Sequence, residues 1–395
     1  MKLVGLFLLC TQLSVWAIDN PSNHMETGSC EEYGLIADLA LRQINADRKE
    51  GYIFSLYRLS NVNLMHQRSQ GIVYYLTIDV LETECHVLSK KEWKSCNERP
   101  EHESVYGHCL ATIYINRIRK IDKLYSYNCT MRPVPAEKIV NRCPDCPILH
   151  TVDSGIITTA DLLLNKYNNE NGNANYFGVL NVTRASVQWN FGTSYSMQFT
   201  IQETVCTKAM SHVKVSQCEF MSCKFAHKGH CKGSYRNGPE VHMDISCEVF
   251  EPEASKPEEH PRLLGGEPHH KRQQNHLHIH EHHHHGDDDS CQPQKAIPMG
   301  TVQLLPAIDQ SSLASLLDLP VVSEQVRPVL LPIIPGEAAD EQKDSGAGGE
   351  SDLVIFPFPE TISEECPGQP KNQVDFIQSL FTEDPDLRHP VDILG

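Results

Sequence analysis

The chain has 395 residues, with 34 Lys and Arg against 51 Asp and Glu and a formal net charge of −17, a length that suits two or three domains. The acidic balance excludes a nucleic-acid partner, because phosphate binding needs clustered Lys and Arg to release counterions. Fifteen cysteines exclude an ordinary cytosolic protein, whose thiols stay reduced, and indicate a secreted, extracellular one.

The N-terminus agrees. Lys2 precedes the apolar run Leu3 to Cys10, and Val15-Trp16-Ala17 supplies a small residue at a cleavage point, so residues 1–17 read as a signal peptide. No later run reaches the roughly eighteen apolar residues of a spanning helix, so no membrane association is expected. Removal of the signal takes Cys10 with it and leaves 14 cysteines, an even number compatible with complete pairing.

Sliding the chain against itself reveals a duplication. Ala37-Asp38-Leu39-Ala40 aligns with Ala160-Asp161-Leu162-Leu163, and Glu82-Thr83-Glu84-Cys85 with Glu203-Thr204-Val205-Cys206. Cys85, Cys96, Cys109 and Cys129 recur as Cys206, Cys218, Cys231 and Cys247. Two homologous domains follow, over 28–140 and 150–252. Consecutive pairing gives each two local staples: Cys85–Cys96 and Cys109–Cys129, then Cys206–Cys218 and Cys231–Cys247.

The first copy opens with a helix. Ser29 and Glu32 form a capping box, and Ile36, Ala40 and Ile44 fall at the spacing of one buried helical face. Strands follow, with Ile72, Tyr74, Leu76, Ile78 and Val80 alternating onto one side. The second copy repeats this plan. Ile156, Ala160 and Leu164 make the helical stripe, and the Asn168 to Gly172 run stops it. Tyr195, Met197, Phe199 and Ile201 make one strand face, and Val241, Met243, Ile245 and Cys247 another. A helix followed by antiparallel strands, twice over, is an α+β fold. Asn128-Cys129-Thr130 and Asn181-Val182-Thr183 are glycosylation acceptors.

Between the copies, over 141–149, lies Cys143-Pro144-Asp145-Cys146-Pro147. Two cysteines separated by two residues can close a small ring, Cys143–Cys146, with Pro144 fixing one φ inside it and Pro147 stiffening the exit. Asp145 then sits at the tip of a rigid loop. A carboxylate is a competent zinc ligand, and in a metallopeptidase cleft it would displace the water the zinc activates. Two other readings stand beside this one: the ring merely staples a linker, or the motif is a thiol-exchange centre. The second lacks the strand and helix such centres need.

Beyond Phe250 the composition turns to Pro, Glu, Gly and His, so most of 253–395 reads as disordered. His269, His270, His276, His278, His280, His282, His283, His284 and His285 concentrate imidazoles suited to weak zinc or copper binding; no cofactor is required. His280-Glu281-His282-His283-His284 formally matches the metallopeptidase pattern H-E-x-x-H, but a histidine tract nearly forces that match and no amphipathic helix surrounds it. With no nucleophile constellation either, the chain reads as a non-enzyme.

A helix, a loop and a strand ending in Cys, with two consecutive disulfides behind it, resembles the cystatin domain. Two such domains with a Pro-rich tail resemble the fetuin family. Cys85-His86-Val87-Leu88, Tyr127-Asn128-Cys129-Thr130, Cys143-Pro144-Asp145-Cys146-Pro147, Lys166-Tyr167-Asn168-Asn169 and Glu365-Cys366-Pro367-Gly368 carry the likeness, which spans about 28–252 and resumes in the tail. It implies two tandem cystatin-like domains and a disulfide from Cys30 to Cys366. It also implies inhibition of astacin-family zinc metallopeptidases by a monomer, with Asp145 reaching the catalytic zinc and hairpins of the second domain flanking it. By position those hairpins are Gln188, Trp189, Asn190, Phe191 and Gly192, and also Ser234 to Gly238.

Inhibitory cystatins carry Gln-x-Val-x-Gly at this hairpin. Here Gln67-Arg68-Ser69-Gln70-Gly71 and Gln188-Trp189-Asn190-Phe191-Gly192 keep the outer residues but replace the central Val, so inhibition of cysteine peptidases is not expected. Trp189 and Phe191 have the character of interface anchors. An alternative from another class is an extracellular carrier of metal or mineral acting through the histidine tract and the acidic surface. Cys223 and Cys291 depart from the usual fetuin set, and by elimination they pair with each other.

Overall fold

The computed structural model describes residues 25–67, 71–150, 152–190, 192–210, 214–221, 226–238, 241–252, 299–308, 353–371 and 374–387. Residues 1–17, read as a signal peptide, the histidine tract, and Cys223 with Cys291 lie outside them.

The first domain comprises β1 (Met25–Thr27), α1 (Gly34–Asp47), β2 (Tyr52–His66), β3 (Ile72–His86), β4 (Val105–Asn116) and β5 (Ile121–Pro133). After α2 (Ala136–Arg142) and β6 (Ile148–Leu149), the second has α3 (Ser154–Glu170), β7 (Asn175–Asn190), β8 (Gly192–Thr207), β9 (Lys228–Arg236) and β10 (His242–Phe250). Each sheet runs antiparallel in chain order, β1-β2-β3-β4-β5 and β10-β9-β8-β7-β6.

In both domains the helix lies across one sheet face. Ala40 and Ile44 of α1, with Ile36 partly buried, pack on Tyr74, Leu76, Ile78 and Val80. Ile156, Ala160 and Leu164 of α3 pack on Met197, Phe199 and Ile201. The α+β plan read from the periodicities is the observed fold. The duplication extends to details that the periodicity does not show. Asn45 donates Nδ2–H to the Phe54 carbonyl and accepts from the Phe54 N–H, each at 2.9 Å. Asn168 does the same with Phe177 at 2.8 and 3.0 Å, so both helices are tied to their first long strand by one side-chain amide.

Two expectations require correction. Ser29 and Glu32 do not cap α1, which begins at Gly34 after Tyr33 with no side-chain cap. Cys30 is joined to Cys366, and its N–H is given to the Glu365 carbonyl, so residues around it turn toward the tail instead of entering the helix. Residues 168–170, assigned to the helix stop, continue α3 to Glu170, because the Asn168 side chain is used inward against Phe177.

The tail is not featureless throughout. Within 253–395, three stretches pack on domain one. Strand β11 (Gly300–Leu304) adds parallel to β5, in register Thr301 to Asn128. Residues 353–371 cross the sheet face opposite α1, and α4 (Asp375–Glu383) covers the same face farther along. This explains why β2 is buried along nearly its whole length. Two of its polar residues, and Gln67 just past its end, meet tail backbone instead of water: Asn61 and Asn63 donate to the Thr361 carbonyl at 2.8 and 2.9 Å, and Gln67 pairs with both the N–H and C=O of Val354 at 3.0 Å. Asn61 and Gln67, satisfied on both amide atoms in this way, avoid the cost of an unmade hydrogen bond.

The domains meet through a buried polar contact. Arg184 donates to the Glu103 carbonyl at 2.7 Å and to Glu82 at 3.0 Å, and Tyr52 shares a hydrogen bond with Thr183 at 2.7 Å. His86 of domain one stacks on His230 of domain two, centroids 4.8 Å apart and planes 17° off parallel.

Candidate functional site

The segment between the domains is built by short-range rules. Pro135 precedes α2, where proline is tolerated, and Glu137 and Arg142 sit at the helix ends that suit their charges. The Cys143 N–H closes the helix on the Ile139 carbonyl at 2.7 Å. The Cys146 N–H then bonds the Cys143 carbonyl at 3.1 Å, closing a β-turn with Pro144 at its second position, where proline's fixed φ is favoured. A disulfide joins Cys143 to Cys146 across the same four residues, Cα atoms 5.3 Å apart. Turn and ring together hold Asp145 exposed at the apex.

The residues just after the ring tie it to domain two. Ile148 and Leu149 pair with Val187 and Ser186, so β6 is an edge strand of the second sheet, and the His150 N–H continues the ladder to the Ala185 carbonyl at 2.8 Å. The ring is therefore brought beside the β7–β8 hairpin. Gln188, the next residue of β7, donates Nε2–H to the backbone carbonyl of Asp145 at 2.8 Å. The two elements that the sequence singled out are thus in direct contact, and the Asp145 carboxylate is left out of that bond.

The hairpin tip is tight. Trp189 pairs with Thr193 and Asn190 with Gly192; Phe191 lies outside the described residues. In domain one, Gln67 and Gly71 frame the equivalent tip, with Gln67 N–H bonded to the Gly71 carbonyl at 2.8 Å; its residues 68–70 are likewise outside. Ser234, Tyr235 and Arg236 of the other proposed hairpin are in β9, opposite Ser196, Tyr195 and Ser194 of β8. That places the β9–β10 turn at the same end of the sheet as the β7–β8 turn.

Among the described residues, the remaining cysteines pair Cys85–Cys96, Cys109–Cys129, Cys206–Cys218 and Cys231–Cys247. Asn128 and Asn181 are both exposed on strands, and Thr301 of β11 donates to the Asn128 side chain at 3.1 Å. A groove of about 700 Å³ on domain two, lined by Ile157, Leu164, Leu180 and Phe220, contains no residue of the ring or the hairpin. The described residues hold no group of His, Cys, Asp and Glu arranged for a metal, and none of their helices is long and apolar enough to cross a membrane.

One group of functional weight was not anticipated. α2 and the ring rest on an apolar cluster that includes Ile139, Tyr57 and Tyr106 of domain one and Ile377, Leu380 and Phe381 of α4, with Cys146 and Phe376 at its margin. Phe381 stacks on Tyr57 at 5.0 Å and meets Tyr106 edge-on at 5.4 Å. Beyond the helix, Asp384 accepts from Arg132 at 2.5 Å and from the Tyr106 hydroxyl at 2.9 Å. Burial and the Asp384 carboxylate push the Tyr106 phenol far above its usual pKa, so it stays a donor. The amphipathic run Phe376, Ile377, Leu380, Phe381 was the available signal.

A disulfide-closed ring and a hairpin carried on two helix-on-sheet domains define a tandem cystatin-type protein. The Cystatin domain family matches residues 28–117 and 149–239. Human fetuin-B is 36% identical over 363 residues, covering 89% of this chain and 91% of its own. Two solved structures also resemble it: mouse fetuin-B in complex with crayfish astacin, with TM-score 0.58, 28% identity and coverage of 90% of this chain and 98% of that one; and the inhibitory complex of human meprin beta with mouse fetuin-B, with TM-score 0.59, 29% identity and coverage of 88% and 98%. The chain belongs to the fetuin family.

Proposed function

We propose that this chain is a secreted inhibitor of astacin-family zinc metallopeptidases in which Asp145 is directed at the peptidase's catalytic zinc. The observation that carries the reading is the bond from Gln188 to the Asp145 carbonyl, which unites ring and hairpin into one projecting edge with a free carboxylate at its apex. The two complexes of mouse fetuin-B, with astacin and with meprin beta, support the choice of partner.

The chemistry follows from the geometry. A carboxylate oxygen binds zinc at about 2.0–2.2 Å, and occupying the open coordination position removes the water that the metal would activate for peptide hydrolysis. The ring contains a disulfide, a proline and an internal hydrogen bond, so little loop entropy is lost on docking. The hairpin flanks it, with Trp189 and Phe191 as anchors that govern release.

Replacing Asp145 tests the assignment. Inhibition of crayfish astacin by the Asp145→Ala protein is expected to weaken at least tenfold, about 1.4 kcal/mol or more. Unchanged potency with retained binding would remove the zinc-directed role and leave the hairpin as the inhibitory element.

A further inference from the structure

The ring has two covalent tethers. On its C-terminal side, β6 is fixed to domain two by strand pairing. On its N-terminal side stands α2, only seven residues long, and helices shorter than about 12 residues are marginal in water without packing. Its one fully buried side chain is Ile139, which lies in the cluster closed by Ile377, Leu380 and Phe381.

Polar contacts repeat this arrangement along the length of α2. Lys138 pairs with Glu383 at 2.8 Å. The Arg142 guanidinium lies 5.0 Å over the Phe376 ring and is also paired with Glu101. Cys146 of the ring itself packs at the margin of the cluster beside Phe376 and Val374. The C-terminal element is in turn held to domain one by Arg132, which bridges Asp384 and Asp386 at 2.5 Å each. The Lys371 N–H bonds the Tyr57 carbonyl at 2.9 Å just before the helix.

We infer that α4 is a positioning element for the inhibitory ring: it holds α2 against domain one, and so fixes the place from which Asp145 projects. The inference rests on the inhibitor reading for its consequence, but the mechanical coupling stands on these contacts alone. Phe376 is the positioning residue nearest the ring, because it touches both Arg142 and the cluster margin while remaining only half-buried.

Two altered proteins separate support of the ring from general destabilisation. One ends at Lys371 and lacks α4; the other carries Phe376→Ala in the full chain, with Phe376→Tyr as the conservative control. Hydrogen exchange is read at the amides of Cys143 and Cys146, alongside those of α1 and α3 as internal references for the two domains, and dissociation from crayfish astacin is timed in parallel. The expected result is faster exchange at the two ring amides in both proteins, with α1 and α3 unchanged in the Phe376→Ala protein. Release from the peptidase is expected to be roughly tenfold faster, since interface changes act mostly on dissociation, and Phe376→Tyr should restore both. Ring amides that exchange at the wild-type rate in both altered proteins would overturn the coupling. Faster exchange with unchanged release would overturn the positioning role. If the unaltered protein fails to inhibit, the inhibitor reading falls, while the exchange data still decide whether α4 holds the ring.

Discussion

Acidification is expected to loosen the contact between the two domains through His86 and His230. Their stacked rings are buried edge-on to Tyr52 in the positive field of Arg48, Arg99 and Lys232, and Arg99 and Arg184 pair with Glu82. Burial first, and then Arg48, lowers the His86 pKa to about 4. Burial, followed by His86, Lys232 and Arg99, lowers that of His230 to about 3. His86 Nδ1 accepts the Leu88 N–H at 3.2 Å, so a second proton also costs that bond. Both folded values lie below the unfolded value of about 6.5, so the unfolded chain binds more protons and stability falls as pH drops below 6.5, down toward each folded pKa. Integrated from pH 7 to 5, each histidine contributes a loss of about 2 kcal/mol, about 4 kcal/mol for the pair. Urea unfolding followed at both pH values measures this. The His86→Phe/His230→Phe protein, which keeps the stacked shape without a proton site, should lose about 4 kcal/mol less than the wild type over that interval. Equal losses in the two proteins would refute the argument.

Gln188→Ala should leave the fold intact and weaken inhibition of crayfish astacin by about 1 kcal/mol, roughly fivefold, because it removes one hydrogen bond that orients the ring; unchanged inhibition constants would show that the ring holds its orientation without the hairpin. Asn168→Ala leaves the buried N–H and C=O of Phe177 without partners, and a loss of about 2–4 kcal/mol is expected by urea unfolding. Asp384→Ala leaves the Tyr106 hydroxyl without its acceptor and Arg132 with only the exposed Asp386 as partner, with an expected cost of about 3 kcal/mol and an unfolding transition that moves for domain one but not domain two.

The sequence made the duplication readable because core positions and cysteines repeat with little change. Ala37 and Ala160 are equivalent, and so are Asn45 and Asn168, although the amides' role only appears once Phe54 and Phe177 are in place. The ring was legible for a local reason, since its four residues form both turn and disulfide. Its contact with Gln188, 43 residues away, was not legible as a bond, since it depends on β6 joining the second sheet. The coverage of domain one by its own tail was hidden by a physical ambiguity. Asn61 and Asn63 of β2, with Gln67 just past its end, fall at alternate positions as they would on a solvent-facing strand, and nothing local distinguishes an amide that meets water from one that meets the backbone of residue 354 or 361.

The Cys30–Cys366 bond spans 336 positions and encloses everything between the start of domain one and the tail. A peptidase that cuts once between Pro252 and Met299 would therefore release no fragment. The product would be a two-chain molecule of nearly unchanged mass, its light chain still laid across domain one, and only reduction would separate the pieces. An inhibitor that works among peptidases can thus be nicked in that interval without losing the element that stands behind its ring.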